Sequence, residues 1–500
     1  MYQGFLIAGY NTGFHTTKAP WMAPQDAFVT LENARCQDGI LSKRAGSAHI
    51  AQMVHVTTPA ATSIVGLHQH TSMGITWLIA CDTTHCNVYD PDSGIMVEAS
   101  DGAIFSGTAS DMFWFQQIDG KTYMTNGVNG VYYFNGDTYD PDDGTDVTAL
   151  TLNNGSGTFT GVKMLFYLND RLLCYDIVDQ TYHRPFRCRY SQTLARGNTP
   201  VFTDGGYLDV PTDDTPVTGR RLGRYVYIWY QNSLWSIGPS GDTDTPFVPQ
   251  IIRGDLGSMS RGVCIPFNKG LLTVGNKDLV FFDGYETKML NLPNLNNILT
   301  QFSWAALKYS WGTYDECAQR IYITFAATGS TYPDRILEYC ITEGLWAVHK
   351  LPVHSMAIFN TLAGTERSYP VIGGRDGWVS RLFTDTSDND VAFAFTAKSG
   401  RFNPFLKQGK RVALGRVAVL VDVDAAASFT ISLFKNTSST AYRTQNVSCA
   451  GSGDKVWVTM HAGGEIGDFH QIQFGNTLID NSPVIHATWL EMEAAGSIDP

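Results

Sequence analysis

The sequence predicts an all-β protein built on a six- or seven-bladed β-propeller, with an extended N-terminal arm and a C-terminal β-sandwich. From about residue 60 to residue 400, short aromatic and β-branched runs are separated by Gly, Asn or Asp turns. Hairpins favour such turns because these residues accept the positive φ of primed turns. The pattern of strand, tight turn and returning strand is clearest at residues 74–94, 121–144 and 268–290.

The spacing of the turns gives the length of the repeating unit. Glycine corners at Gly94, Gly136, Gly241, Gly284 and Gly344 indicate a repeat of about 40 to 60 residues. A four-stranded propeller blade has this length. Residues 28–50 contain a further strand pair that could close the ring against the last blade, and the sequence leaves open whether it does.

The chain divides into three parts by pattern. Residues 1–27 are rich in Gly, Thr, Pro and Asn, with Trp21 and Met22 as isolated anchors, and predict an extended arm that reaches a neighbouring subunit. Residues 28–405 predict the propeller, including the candidate closing strands. Residues 406–500 contain four or five long alternating strands without the propeller's turns, which is typical of a β-sandwich.

Composition disfavours several classes of protein. The chain has 12% aromatic and only 16% charged residues with 48 glycines, which fits an all-β chain with many turns. Its net charge of −12 argues against a protein that grips nucleic acid, since such binding draws on clustered Lys and Arg. Basic patches at residues 184–189, 219–224 and 407–416 are expected to be rim or interface charges.

The sequence shows no pattern typical of a targeting or membrane-spanning segment. The start of the chain lacks the basic segment and long apolar core of a signal peptide, and no run reaches the ~18 apolar residues that span a bilayer. We therefore expect no membrane span.

Nine cysteines without repeated spacing favour reduced thiols over a disulfide framework, although Cys81 and Cys86 could meet across one hairpin.

No motif in the sequence nominates a catalytic residue, a metal ligand or a cofactor site, so we expect a protein that is not an enzyme. The acidic turns at residues 90–94 and 140–146 suggest calcium superficially, but they lack a bidentate Glu, and hairpin turns favour the same residues. His68 and His70 share one strand face, as a metal site on a sheet requires, but no third ligand accompanies them.

Carbohydrate chemistry is the alternative that the residues leave open. A retaining glycosidase needs two carboxylates about 5 Å apart, and the sequence alone cannot pair Asp82, Asp111, Glu316 or Glu338. Aromatic side chains could stack on sugars, although at alternate strand positions they first of all pack between blades. These aromatic residues are Phe113, Trp114, Phe115, Tyr225, Tyr227, Trp229, Tyr230 and Trp235.

Residues 20–47 resemble the opening of a group of bacteriophage tail propellers. Leu31 and Asn33 match the first strand of that motif, and its second element is matched by Gly39, Leu41, Lys43, Arg44 and Gly46.

Two further regions are similar to the same group. Residues 222–237 and 257–291 resemble two successive blades. At the C-terminus, a basic stretch at Lys410 and Arg411 is followed by strands at 469–474 and 485–493. By layout the chain most resembles the packaged-DNA stabilisation proteins, or tail hubs and nozzles, of short-tailed phages.

This resemblance implies a structural virion protein. It would form a ring, usually of six copies, that extends the head-to-tail channel, retains packaged DNA and guides its ejection. The implied partners are the portal or adaptor, tail needle, fibre or spike proteins, and passing duplex DNA that is not bound sequence-specifically. The implied location is the virion tail, with assembly in the host cytoplasm. The alternative is a virion-attached or secreted propeller that binds or cleaves glycans.

Overall fold

The computed structural model describes residues 1–53, 63–72, 74–90, 94–100, 102–136, 146–153, 157–276, 278–290, 298–360, 368–476 and 483–498. The described chain is built mainly of strands, as the sequence predicts, with short 3₁₀ helices at Trp304–Tyr309 and Leu406–Gln408. Within these residues, no helix is long and apolar enough to cross a membrane.

Six strands precede the repeating part of the chain. They are β1 (Gln3–Ala8), β2 (Gly13–Phe14), β3 (Ala27–Glu32), β4 (Ala34–Gln37), β5 (Ile40–Lys43) and β6 (Gly46–Gln52).

Seven four-stranded units follow in the described residues, and we number them 1 to 7. The strands of units 1 to 3 are β7 (Gly66–Ser72), β8 (Ile75–Cys81), β9 (Cys86–Asp90) and β10 (Ile95–Glu98); β11 (Trp114–Ile118), β12 (Lys121–Thr125), β13 (Tyr132–Phe134) and β14 (Val147–Ala149); and β15 (Phe159–Thr160), β16 (Met164–Leu168), β17 (Arg171–Asp179), β18 (Tyr182–Tyr190) and β19 (Gly206–Asp209). In unit 3, β15 and β16 both pair with β17 and form one interrupted first strand.

The remaining units have the same antiparallel order. Their strands are β20 (Pro216–Leu222), β21 (Tyr225–Tyr230), β22 (Leu234–Pro239) and β23 (Phe247–Arg253) in unit 4; β24 (Cys264–Phe267), β25 (Gly270–Val274), β26 (Leu279–Phe282) and β27 (Thr287–Met289) in unit 5; β28 (Gly312–Asp315), β29 (Arg320–Phe325), β30 (Arg335–Cys340) and β31 (Leu345–Lys350) in unit 6; and β32 (Ser355–Phe359), β33 (Tyr369–Gly373) and β34 (Trp378–Asp385) in unit 7.

The first strands of the units form a closed ring. Each of β7, β11, β16, β20, β24 and β28 contacts the next first strand, and β32 contacts β7. The fourth strand of unit 7 is β6, which pairs antiparallel with β34 from Trp378↔Gln52 to Asp385↔Gly46. The N-terminal region therefore closes the ring, as the strand pair at 28–50 made possible, but only its last strand does so. The five predicted glycine corners all adopt positive φ.

Side chains of a central strand pack alternately on the two neighbouring units. On β21, Tyr227 and Trp229 lie against Phe282 of unit 5, with ring centroids 4.6 and 6.3 Å apart. Tyr230, on the opposite face, hydrogen-bonds through its hydroxyl to Tyr175 of unit 3. Because strand side chains alternate between faces, one aromatic run covers two interfaces. This explains why the runs that predict the strands are apolar at nearly every position.

The strands after unit 7 form a two-layer sandwich with the N-terminal strands. They are β35 (Phe395–Ser399), β36 (Lys410–Asp422), β37 (Ser428–Lys435), β38 (Arg443–Ser448), β39 (Lys455–Gly467), β40 (His470–Asn476) and β41 (Val484–Ser497). One sheet has the order β39-β36-β41-β5-β4, with β1 also on β41, and the other contains β3-β35-β40-β37-β38, with β2 on β3.

Residues 1–27, predicted to be an extended arm, thus contribute β1 and β2 to the two sheets. Strand β1 pairs with β41 from Gln3↔Met492 to Ala8↔Ala487. An uncovered strand presents unpaired N–H and C=O groups, and β1 satisfies those of β41. Between β2 and β3, Trp21 remains about half exposed and lies 6.4 Å from the ring of Phe469. Contact of this region with a neighbouring subunit stays a prediction.

The propeller and the sandwich share one hydrophobic core. Val419 and Leu433 of the sandwich belong to the same buried cluster as Leu272 of unit 5 and Phe325 and Trp346 of unit 6. Strand β3 also joins the two sheets directly, since it pairs with both β31 and β35. The two parts therefore pack as one body.

A buried polar cluster fixes this junction, and we call it the Arg44 cluster (Asn33, Arg44, Asp388 and Phe393). The guanidinium of Arg44 donates to both carboxylate oxygens of Asp388, at 2.8 and 2.5 Å, and lies 3.9 Å from the centroid of the Phe393 ring. Asn33, at φ 53°, accepts from Arg44 Nε and from the backbone N–H of Lys350. The cluster connects the N-terminal strands to units 6 and 7.

The other residues of the 20–47 motif are structural as well. Leu31 and Leu41 are fully buried in the shared core, and Gly39 takes a φ of +73° in the turn between β4 and β5. Lys43 lies over the same aromatic ring as Arg44. At Gly46, an added Cβ would collide with the backbone of Ser387. The motif therefore specifies how the chain enters and closes the propeller.

We predict that Gly46→Ala destabilises the protein by about 1–3 kcal/mol, because the clash is with backbone that a side-chain rotation cannot relieve. Urea unfolding followed by tryptophan fluorescence measures the change. Gly254→Ala is the matched control, since a Cβ there meets only the Ile251 side chain at 3.8 Å. Equal stability of the two variants would contradict the close approach of β6 to Ser387.

Candidate functional site

A central cavity of about 910 Å³ lies inside the ring of first strands. Residues from all seven units line it, so the cavity follows from the closure of the ring. Its volume is in the range of small-ligand pockets, about 300–1,000 Å³. We take this cavity as the candidate functional site.

Half-buried aromatic rings form much of the cavity wall. Trp114 and Phe115 come from the start of unit 2, Phe267 from unit 5, and Trp311 and Tyr314 from unit 6. Trp114 donates its indole N–H to the carbonyl of Leu165 in the next unit, which fixes the ring in place. These rings present flat apolar surfaces to the cavity.

The charged groups of the described lining are mainly basic. Arg220, Arg221, Arg261 and Lys269 line the cavity, whereas Glu316 is the one carboxylate among the described lining residues. The protein as a whole is acidic, with a net charge of −12. The central cavity therefore has the opposite charge to the average of the molecule.

Two of the three arginines have backbone partners. Arg221 donates to the carbonyls of Gly223 and Tyr167 at 3.0 and 3.1 Å. Arg261 donates to the carbonyl of Lys163 at 2.9 Å, and burial lowers its pKa to about 10 although Asp176 and Asp111 act in the opposite direction. The guanidiniums of both residues are thus held by the wall.

Arg220 differs from both. Its side chain is exposed to the solvent of the cavity, and partial desolvation by the surrounding lining lowers its pKa. Within the described parts of the chain, no carboxylate and no hydrogen-bond acceptor pairs with its guanidinium. It is a solvated cation of the cavity lining without a counterion among the described residues.

His68 lies next to this group. Its imidazole stacks on Phe115, with ring centroids 5.0 Å apart and planes 6° apart. Burial, together with His70 and Arg220, lowers the pKa of His68 to about 3, so the ring is neutral at ordinary pH. His70 is fully buried, and its Nδ1 hydrogen-bonds to Thr122 of unit 2 at 2.8 Å. The predicted shared face of the two histidines is the one that packs on unit 2.

The structure separates the four carboxylates named from the sequence. Asp82 accepts hydrogen bonds from the backbone of its own turn at Thr84 and His85, and Asp111 does the same at Thr108. Glu316 lines the cavity. None of these arrangements brings two of the four together on the cavity wall within the described residues.

Glu338 is held in a buried ion network instead of a cavity. Arg35 donates to it from β4, Arg320 from β29, and His349 Nε2 lies 2.9 Å from its Oε2. Burial acts to raise the pKa of Glu338, but Arg35 and His349 outweigh this effect and hold it well below its usual range. For His349, burial dominates and lowers the pKa to about 4 despite the neighbouring carboxylate.

The two aromatic clusters named from the sequence lie in different parts of the structure. Tyr227, Trp229, Tyr230 and Trp235 are buried between units, whereas Tyr225 is exposed. In the first cluster, Phe113 is buried, and Trp114 and Phe115 face the cavity. Three rings of the eight therefore line the candidate site, and two of them, Trp114 and Phe115, are half-buried.

The remaining sequence candidates are the acidic turns, the possible metal ligands and the cysteine pair. Most of the acidic turns at 90–94 and 140–146 lie outside the described residues. Among the described residues, no group of three or more His, Cys, Asp or Glu is arranged to hold a metal ion. Cys81 and Cys86 lie opposite each other across the hairpin, as predicted, and both are buried free thiols.

Sequence reasoning missed Arg220 as a cavity residue. It belongs to the basic patch 219–224, which was expected to be rim or interface charge. The available signal was its position in the first strand of a unit, since that strand faces the axis of a propeller. The register that turns Arg220 inward, opposite Tyr227 of β21, is set by the hairpin and by packing on both sides.

Comparisons with known proteins add little to this description. No protein-family model and no curated protein matches the sequence. The structure of BBS1N in complex with ARL6DN is similar at 10% identity with a TM-score of 0.39, over 69% of this chain and 100% of that one. The AfRom2 CNH domain is 7% identical with a TM-score of 0.39, over 67% and 99%.

A third similar structure is an exo-beta-1,3-galactanase from Phanerochaete chrysosporium solved with galactose. It is 10% identical with a TM-score of 0.27, and the match covers 90% of this chain and 100% of that one. At such low identity and TM-score, the likeness carries no argument about function.

We predict that His349 makes the stability of the protein fall as the pH drops from about 6.5 to about 4. The folded state lowers the pKa of His349, so the unfolded chain takes up the proton first and is favoured by acid. The expected loss is about 3 kcal/mol over this range. Urea unfolding at intervals of pH measures it.

The variant that isolates this effect is His349→Gln, which cannot take up the proton. Its free energy of unfolding should change less between pH 7 and pH 4.5 than that of the wild type. His461→Gln, at an exposed position, is the matched control and should keep the wild-type pH dependence. An identical pH dependence in His349→Gln and wild type would refute the assignment.

Proposed function

We propose that the protein is a structural component of a phage tail, a hub or nozzle ring that extends the head-to-tail channel, retains packaged DNA and guides its ejection. The observation that supports this most is the position of the 20–47 motif. Its residues Asn33, Arg44 and Gly46 fix the junction between propeller and sandwich. The resemblance to tail propellers therefore concerns residues that determine the architecture.

The rigidity of the molecule suits this role. A tail ring must withstand the pressure of packaged DNA without domain motion, and here the propeller and sandwich share one hydrophobic core. The N-terminal strands pair with the last strands of the chain, and β6 closes the propeller. The first and last strands of the described residues are thus fastened into one body.

In this proposal DNA passes between copies of the chain and not through the propeller. The central cavity has the volume of a small-ligand pocket. The net charge of −12 favours a surface that repels phosphates, which would let duplex DNA slide without sequence-specific binding. The basic cavity is the propeller's own and is separate from the lumen that six copies would enclose.

The proposed partners follow from the same role. They are other copies of this chain in a hexameric ring, the portal or adaptor above it, and needle, fibre or spike proteins below it. The location would be the virion tail, with assembly in the host cytoplasm. The role needs neither a catalytic residue nor a cofactor.

A glycan-active propeller is the alternative. The half-buried rings of the cavity favour it, because aromatic faces can stack on sugars. Cleavage by a pair of carboxylates has less support, since Glu316 is the one carboxylate among the described lining residues. Binding without cleavage is the form of this alternative that the cavity favours.

Immunogold electron microscopy of particles from the source culture tests the proposal. With antibody raised against the purified chain, we expect gold at a single tail vertex. The control is the same antibody absorbed with purified protein, which should leave the particles bare. Unlabelled particles, with antigen in the medium or the cell, would refute the virion role.

Sedimentation velocity of the purified chain provides a second readout. We expect a hexamer, alone or when mixed with the adaptor protein. A chain that stays monomeric at all concentrations and with the adaptor would contradict the ring.

A further inference from the structure

We propose that the central cavity binds a small organic acid, with the carboxylate of the ligand paired to Arg220 and its flat body against the aromatic wall. The proposal goes beyond the structural role and does not depend on it. It rests on the unpaired guanidinium of Arg220 in the cavity lining, on the aromatic rings of the same lining and on the size of the cavity.

The first argument is the missing counterion. Three guanidiniums elsewhere in the protein have carboxylate partners: Arg44 pairs with Asp388, Arg187 with Asp179 and Asp209, and Arg320 with Glu338. Arg220 lines the cavity, is exposed to its solvent and has no such partner among the described residues. Since no carboxylate of the described residues occupies this guanidinium, an anion that enters the cavity can pair with it through charge-assisted hydrogen bonds.

The second argument is the kind of anion that fits. A guanidinium presents parallel N–H groups that match the two oxygens of a carboxylate. His68 beside it is neutral and adds no positive charge. Arg221 and Arg261 already donate to backbone carbonyls, so among the described lining arginines the Arg220 guanidinium is the one free to pair with both oxygens of a carboxylate.

The third argument concerns the body of the ligand. The plane of Phe115 lies against His68, and the half-buried rings of Trp114, Phe267 and Tyr314 line the same cavity. A flat apolar group gains contact area on such walls. The cavity volume of about 910 Å³ admits a ligand of this size with water around it.

Benzoate is the probe, because it combines one carboxylate with one flat ring. Its binding to the full-length protein at low salt is measured by saturation-transfer NMR titration. Benzyl alcohol, the uncharged analogue, should bind at least about 10-fold more weakly, since it lacks the charge-assisted hydrogen bonds.

The decisive variant is Arg220→Gln, which we expect to weaken benzoate binding about 10- to 100-fold. The matched control is Arg224→Gln, on the turn of the same hairpin and exposed outside the cavity lining, which should stay within about twofold of wild type. Arg220→Lys keeps the charge without the planar fork and should have an intermediate affinity.

Melting temperatures verify that each variant is folded. The proposal is overturned if wild-type protein shows no saturable benzoate binding, or if benzyl alcohol binds equally well. It is also overturned if Arg220→Gln and Arg220→Lys both keep the wild-type affinity.

Discussion

The buried ion pair between Arg44 and Asp388 is the interaction on which the relation of the two parts of this protein depends. Arg44 is 1% exposed, so its charge can be accommodated only with a partner in the right position. That partner is reached only when β6 closes the propeller, because Asp388 follows the strand with which β6 pairs. Asn33, at positive φ, orients the same guanidinium from the other side. A single buried charge thereby links ring closure, the path of the N-terminal strands and the placement of the sandwich.

Paired charges lie at the junction of the N-terminal strands with the propeller, whereas an unpaired charge lies in the central cavity. Arg44 and Glu338 are enclosed, fully paired and located where the N-terminal strands meet unit 6, so they stabilise one arrangement of the chain. Arg220 is exposed to the water of the central cavity and is unpaired among the described residues. Arg221 and Arg261 of the same lining donate to backbone carbonyls, whereas the Arg220 guanidinium is available to a ligand. The contrast makes the cavity the place to look for a ligand.

Local patterns in the sequence account for much of the fold. The glycine corners and aromatic runs predict the hairpins because positive φ and alternating burial are local properties. The pairing of β1 with β41 has no such signal, since a six-residue edge strand carries no mark of a partner almost five hundred residues away. Local sequence patterns did not reveal the candidate site either. Arg220 and Arg224 look alike in sequence, and only the register of β20 on β21 turns the first of them into the cavity.

A double-mutant cycle on Arg44 and Asp388 tests most directly the claim that this pair locks the propeller and the sandwich together. The variants are Arg44→Leu, Asp388→Asn and the two combined, compared by urea unfolding. We expect a coupling free energy of about 2 kcal/mol or more, and a single unfolding transition in the wild type that separates into two in Arg44→Leu. Additive effects of the two substitutions, with a single transition retained in every variant, would contradict it.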